Sequence, residues 1–178
     1  VTMDTTGNAA TFGTYTINAG LAAVCSNGGG DRMLKAAGRV SGVNTNIIEY
    51  ITVSTTGNGT DFGDITVARD GLGGFSSEAR GVFGSGYIMA GANTNEIDYV
   101  TIATLGNATD FGNMTTNIRE YGATSNGTRG VTGGGRQQGA PDVNEIQYIT
   151  IMAPSNSADF GDIYAVKNGV GGLSGAVS

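Results

Sequence analysis

The sequence predicts an all-β fold built on a repeat of about 49 residues, and three observations carry that expectation. The first is composition: 32 of 178 residues are glycine and only 2 are proline, against about 7% glycine in average soluble domains. Glycine weakens helix interiors and favours turns, so a helical bundle is disfavoured at once. The second is spacing: Phe12, Phe62, Phe111 and Phe160 stand 50, 49 and 49 residues apart. The third is texture, because the segments between them are short, rich in β-branched and aromatic residues, and without helical periodicity.

The repeat is legible in wording as well as in spacing. Each phenylalanine closes one of the segments TGNAATFG, TGNGTDFG, LGNATDFG and PSNSADFG, with Asn8, Asn58, Asn107 and Asn156 at a constant offset. NIIEYITV, NEIDYVTI and NEIQYITI place Tyr50, Tyr99 and Tyr148, while DRMLKAAG, ARGVFGSG and TRGVTGGG place Arg32, Arg80 and Arg129. The tyrosine segment reads as a strand covered on both faces, since its apolar residues do not alternate strictly. After it, Gly57 or Gly106 is expected to supply the positive φ of a tight hairpin, and TDFGDITVA is expected to be the returning strand. GLGGFSSEA and EYGATSNGT, then RGVFGSGY and RGVTGGGR, read as two more.

Four short strands per repeat describe a propeller blade, so the expected architecture is a β-propeller-like repeat array of four-stranded blades. The runs Gly84, Ser85, Gly86 and Gly133, Gly134, Gly135 are expected where neighbouring backbones approach most closely. Residues 1–178 then form a single repeat domain, with a partial copy over 1–31 and repeats over 32–79, 80–128 and 129–178. Val1, Thr2 and Met3 align with Ile51, Thr52 and Val53, so the copies at the two ends are split. That split predicts a segment of a longer array, or one completed by other chains.

Residue inventory narrows the chemistry. The chain has no histidine and one cysteine, Cys25, read as a small apolar filler, and neither a cofactor nor a metal is expected. A net charge of -6 argues against nucleic acid as a partner, and no apolar stretch suggests membrane insertion. Asp61, Asp110 and Asp159 sit in kinase-like DFG triplets without the rest of a kinase, so Phe is read as core and Asp as a turn or strand-end cap. Calcium is the other reading of these aspartates, although each copy offers only one or two carboxylates. Arg32, Arg80 and Arg129, one per blade, are expected to pair with acids or to cap carbonyls between blades, and anion binding is the alternative. The triplets at Asn58, Asn107, Asn113 and Asn126 match glycan acceptors, as Thr-rich Gly-Asn turns do freely.

GVFGSGY followed by NEIDYVTI and TDFG resembles the kelch repeat, and IDYVTIAT with GNATDFG is more closely similar to kelch-like repeats in structural proteins of tailed bacteriophages, especially of marine hosts. Phenylalanine replaces the usual kelch tryptophan, and Pro154 with Ser155 replaces the glycine turn of the last copy. The resemblance implies a non-enzymatic virion module in a tail fibre, tail appendage or surface decoration. Its partners would be other virion proteins, copies of itself or a host surface glycan. A bacterial surface adhesin and a carbohydrate-active propeller enzyme are the competing expectations, the latter drawing on acids such as Glu96 and Asp98. Copies differ most after the glycine strand, in GRVSGVNTN, YIMAGANTN and RQQGAPDVN. Arg39, Tyr87, Met89, Arg136, Gln137 and Gln138 are therefore the candidate contact residues, with no catalytic residue assigned.

Overall fold

The computed structural model describes residues 8–89, 91–169 and 172. Within them the chain forms twelve strands and no helix. The first antiparallel sheet runs β1 (Ala23–Ser26), β2 (Arg32–Val40), β3 (Val43–Thr52) and β4 (Thr60–Asp64). The second runs β5 (Gly73–Ser76), β6 (Arg80–Ile88), β7 (Ala92–Thr101) and β8 (Thr109–Asn113), and the third β9 (Gly122–Ser125), β10 (Arg129–Gly133), β11 (Glu145–Thr150) and β12 (Ala158–Asp162). Each sheet is a meander in chain order. The sheet unit is out of phase with the Arg-to-Arg repeat, because its first strand lies at the end of the preceding copy.

The sheets pack face to face in an open stack that does not close into a ring. Leu34, Ile48 and Phe62 of the first sheet are buried in one cluster with Phe83, Val100 and Ile102 of the second. Val82, Ile97 and Phe111 of the second are buried with Ile149 and Ile151 of the third. The middle sheet is covered on both faces, which is why the NEIDYVTI segment has no strict alternation.

Phe62, Phe111 and Phe160 each sit in a β-bulge. Ile48 pairs with Gly63 and Glu49 with Asp61, which leaves Phe62 without a partner across β3, and the same skip recurs in β8 and β12. A bulge turns a residue out of the ladder and frees its backbone groups. The Phe62 carbonyl accepts from Gly106 N at 2.8 Å in the next sheet, and Gly57 N donates to Phe12 O at 3.0 Å. Backbones meet so closely that a Cβ on Gly112 would lie 2.6 Å from the Ser155 carbonyl.

Several expectations change. The strand after the Gly-Asn turn ends at Asp64, short of TDFGDITVA, because residues 65–72 leave the sheet to cross to the next one. The connection at 53–59 is longer than a tight hairpin, and only Gly106 of the expected pair has positive φ, at 154°. What these glycines share is an amide that bonds the phenylalanine carbonyl of the preceding copy. The glycine runs do lie at close approaches: a Cβ would fall 2.6 Å from Met114 Cε at Gly84 and 2.8 Å from Asp70 O at Gly86. Gly133 is the exception, with only an ordinary contact at 3.7 Å. The expected alignment of Val1, Thr2 and Met3 lies outside the described residues.

Burial of the phenylalanine depends on a following sheet. Phe62 and Phe111 are 3% exposed, whereas Phe160 is 58% exposed, so equal offsets do not bring equal burial. Phe111→Ala should cost about 3–5 kcal/mol in guanidinium unfolding, as large-to-small changes in a core do. Phe160→Ala should cost less than about 1 kcal/mol by the same measurement.

Candidate functional site

The third repeat motif joins the bulge to the sheet interface. Tyr50, Tyr99 and Tyr148 meet Phe62, Phe111 and Phe160 edge to face at 6.2, 5.9 and 6.0 Å. The guanidinium groups of Arg32, Arg80 and Arg129 lie 4.7, 4.4 and 4.7 Å above those tyrosine rings. Arg32 Nη1 donates to Ile102 O at 2.8 Å and Arg80 Nη1 to Ile151 O at 3.2 Å, each in the following sheet. Arg32 and Arg80 thus cap carbonyls between sheets, one of the two roles expected of these arginines. Asp110 and Asp159 accept from the amides of Gly112 and Gly161 at 3.0 and 2.8 Å, the local capping expected of aspartate beside a turn.

A buried polar position lies behind each tyrosine, at Glu49, Asp98 and Gln147. In each case a threonine that follows the preceding bulge binds it: Thr16 Oγ1 donates to Glu49, Thr66 Oγ1 to Asp98 Oδ1 at 2.6 Å, and Thr115 N to Gln147 Oε1 at 2.9 Å. The two acids each have a cation. Lys35 Nζ stands 3.6 Å from Glu49 Oε2, and Arg69 Nη2 is 2.6 Å from Asp98 Oδ2. Arg69 is fully buried, and it also donates to Phe83 O at 3.2 Å. Its backbone carbonyl accepts from Gly38 N of the first sheet, so a single residue ties both sheets together. Where the residue is the neutral Gln147, its amide instead donates to Glu145 Oε2 at 3.2 Å and accepts from Ser157 Oγ at 2.7 Å.

The copy-specific residues lie together at the β2–β3 end of the stack. Arg39, Tyr87 and Arg136 hold equivalent places, each bridged to a preceding connection through Gly20, Asp70 and Arg119 respectively. Arg39 Nη2 approaches Met89 Sδ at 3.7 Å across the sheet boundary, and Arg39 Nε stands 3.5 Å from Asp70 Oδ2. The Arg119 guanidinium stacks 4.4 Å above the Tyr87 ring. Asn44 Nδ2 donates to Tyr87 O at 2.7 Å and Asn93 Nδ2 to Arg136 O at 2.8 Å, which fixes these strand ends. Arg39, Met89, Arg136 and Gln138 are exposed, while Tyr87 and Gln137 are half-buried.

Two residues of this end escaped sequence reasoning, Asp70 and Arg119. They lie in the connections, outside the segment where copies were compared, and their only signal was charge in a chain poor in charge. Burial raises the Asp70 carboxyl from 3.8, opposed by Arg39 and Arg119 and assisted by Glu120. Cys25 is buried in the first interface, and burial pushes its thiol up to about 12, as suits a packing residue. Among the described residues no cluster of three or more His, Cys, Asp or Glu is placed to hold a metal ion, and no helix is long and apolar enough to cross a membrane.

No protein-family model matches the chain, and no curated protein is significantly similar to it. The reading of function therefore stands on the repeat and on this end of the stack.

Two outcomes follow from these charges. Arg69→Met leaves Asp98 buried without its cation and should cost about 3–5 kcal/mol. Adding Asp98→Asn should recover most of that loss in a double-mutant cycle, since the third sheet already runs on a neutral amide. For Asp70, the folded state binds the proton more tightly than the unfolded chain, so its contribution to stability is full below 3.8 and is lost as pH rises through the raised folded value. Asp70→Asn should remove that part of the decline in a pH series of urea midpoints.

Proposed function

We propose that the chain is a non-enzymatic structural and binding module, a β-propeller-type array that presents copy-specific side chains at its β2–β3 end. The observation that carries this reading is the alignment of Arg39, Tyr87 and Arg136 on one end of a scaffold that otherwise repeats. Scaffold residues are constrained by their neighbours in the stack, whereas residues at a free end answer to what they touch. Arg136 offers an exposed guanidinium, with Gln137 and Gln138 adding amide donors and acceptors. Such groups suit the hydroxyls and carboxylates of a surface polysaccharide, or a polar protein rim.

Asp98, one of the two acids weighed for glycoside hydrolysis, lends that reading no support. A carboxylate pair must be open to substrate and water. Asp98 is 1% exposed and is held by both Arg69 and Thr66, while Glu96 shares the same arginine at 3.8 Å. The setting we propose, the surface of a tailed-phage virion in assembly or host attachment, rests on the resemblance of IDYVTIAT and GNATDFG to the kelch-like phage repeats.

The test is the triple substitution Arg136→Ala, Gln137→Ala and Gln138→Ala. Surface changes of this kind alter stability by less than about 0.5 kcal/mol each, so the variant should unfold with the wild type. Binding of the labelled chain to a panel of bacterial cells and their isolated surface polysaccharides should drop at least tenfold. Binding that survives the triple change, or shortening of a polysaccharide by the wild-type chain, overturns the proposal.

A further inference from the structure

Eight buried side-chain polar atoms have no hydrogen-bond partner among the described residues, and four of them lie at the β2–β3 end: Asn44 Oδ1, Asp70 Oδ2, Asn93 Oδ1 and Arg119 Nε. Folded proteins leave few such atoms. The ion pairs of this end are loose as well. Arg39 Nε stands 3.5 Å from Asp70 Oδ2 and Arg119 Nε 3.7 Å from Glu120 Oε1, whereas Arg69 and Asp98, in the interior of the same stack, close to 2.6 Å. Arg136 has no ion pair among the described residues, and it is exposed, as Arg39 is. The polar groups of this end are thus left unsatisfied by the fold.

The guanidinium groups also stand in a row. Arg39 belongs to the first sheet, Arg119 lies on the Tyr87 ring of the second, and Arg136 follows β10 of the third. Sheets packed face to face are about 10 Å apart, so the row carries one positive group per step of that size. Acids stand beside the first two, Asp70 and Glu120. A dense polyanion such as a DNA strand, with a charge about every 3.4 Å, would set phosphates against those acids. A linear polysaccharide with one carboxylate per disaccharide spaces its charges on the scale of the row. Between them it offers neutral hydroxyls, which the amides of Gln137 and Gln138 can bond.

We infer that the β2–β3 end takes such a linear acidic polysaccharide, laid across the edges of the sheets with successive carboxylates over Arg39, Arg119 and Arg136. This rests on the binding reading above and names its ligand class. The exposed Arg39 and Arg136 pair with carboxylates directly, in the geometry that guanidinium groups favour, and half-buried Arg119 draws the carboxylate between them by its charge. Asp70 is then a competitor, because it holds Arg39 in the free chain.

The probes are hyaluronan fragments, which carry one carboxylate per disaccharide, and the same fragments with the carboxyls reduced to alcohols, in isothermal titration calorimetry at low salt. The wild-type chain should bind hyaluronan at least about tenfold more tightly than the reduced form, since charge-assisted bonds are lost with the carboxylates, and more tightly than densely sulfated heparin. Arg39→Gln should weaken hyaluronan binding about tenfold. Asp70→Asn should strengthen it about threefold, the worth of one partly exposed ion pair. A role for Asp70 confined to folding would not tighten binding. Arg39 is exposed, so its variant should unfold with the wild type. Failure to bind hyaluronan, equal affinity for the reduced form, preference for heparin, or no gain with Asp70→Asn overturns the inference. If the reduced form binds as tightly as hyaluronan and both are lost in the triple substitution at Arg136, this inference falls while the binding reading stands. Shortening of hyaluronan by the wild-type chain overturns that reading itself.

Discussion

The structure depends on a backbone problem that is solved at Phe62, where the first sheet meets the second. A bulge at the phenylalanine takes its carbonyl out of its own sheet, and a buried carbonyl without a donor is costly. The next sheet supplies that donor from its Gly-Asn turn, at 2.8 Å for Phe62 and Gly106. The turn reaches so far only because the residue after the phenylalanine has no side chain, as the crowding at Gly112 shows. Asparagine then acts as an extra backbone carbonyl, reaching the amide of Asp64 or Asn113. Burial of the aromatic ring and the arginine cap over the tyrosine both follow from the sheet spacing this contact sets.

Inside that frame the polar core has been varied by substitution of whole solutions. Glu49 with Lys35, Asp98 with Arg69, and the neutral Gln147 meet the same demand, a partner for the threonine of the preceding connection. The cations come from different places, β2 in one case and the connection in the other. A buried charge left alone would be far more costly than a buried amide, so acid and base must change together. Asp98 and Arg69 are 29 residues apart in the chain, and only the fold brings them together.

Much of this was legible in the sequence. The register of phenylalanine, tyrosine and arginine marked the stacked unit, and one arginine per copy suggested either acid pairing or carbonyl capping between sheets, of which Arg32 and Arg80 adopt the second. The asparagine contact was not legible, because a Gly-Asn pair is an ordinary turn signal and nothing local says that its side chain serves another sheet. Phe160 misled for a related reason: its own segment matches Phe111, but burial is conferred by a neighbour. Arg69 and Asp70 stayed hidden because the connection between sheets carries no repeated wording, and its residues act through partners distant in sequence.

The separation of roles along the strands explains how binding residues can vary without loss of the stack. The asparagine contacts sit at the turn between the third and fourth strands, around Asn58, Asn107 and Asn156, whereas Arg39, Tyr87 and Arg136 lie where the second strand meets the connection. At that end the links between sheets run through backbone groups: Gly71 N reaches Leu21 O, Glu120 N reaches Gly71 O and Gly169 N reaches Glu120 O. Backbone bonds hold whatever side chain is present, so the spine survives substitution at its surface. Leu21 and Glu120 take positive φ there, at 55° each, a conformation that side chains accept only when the surroundings impose it. The ladder imposes it, and so the connection keeps its shape while the charges displayed above it differ from copy to copy.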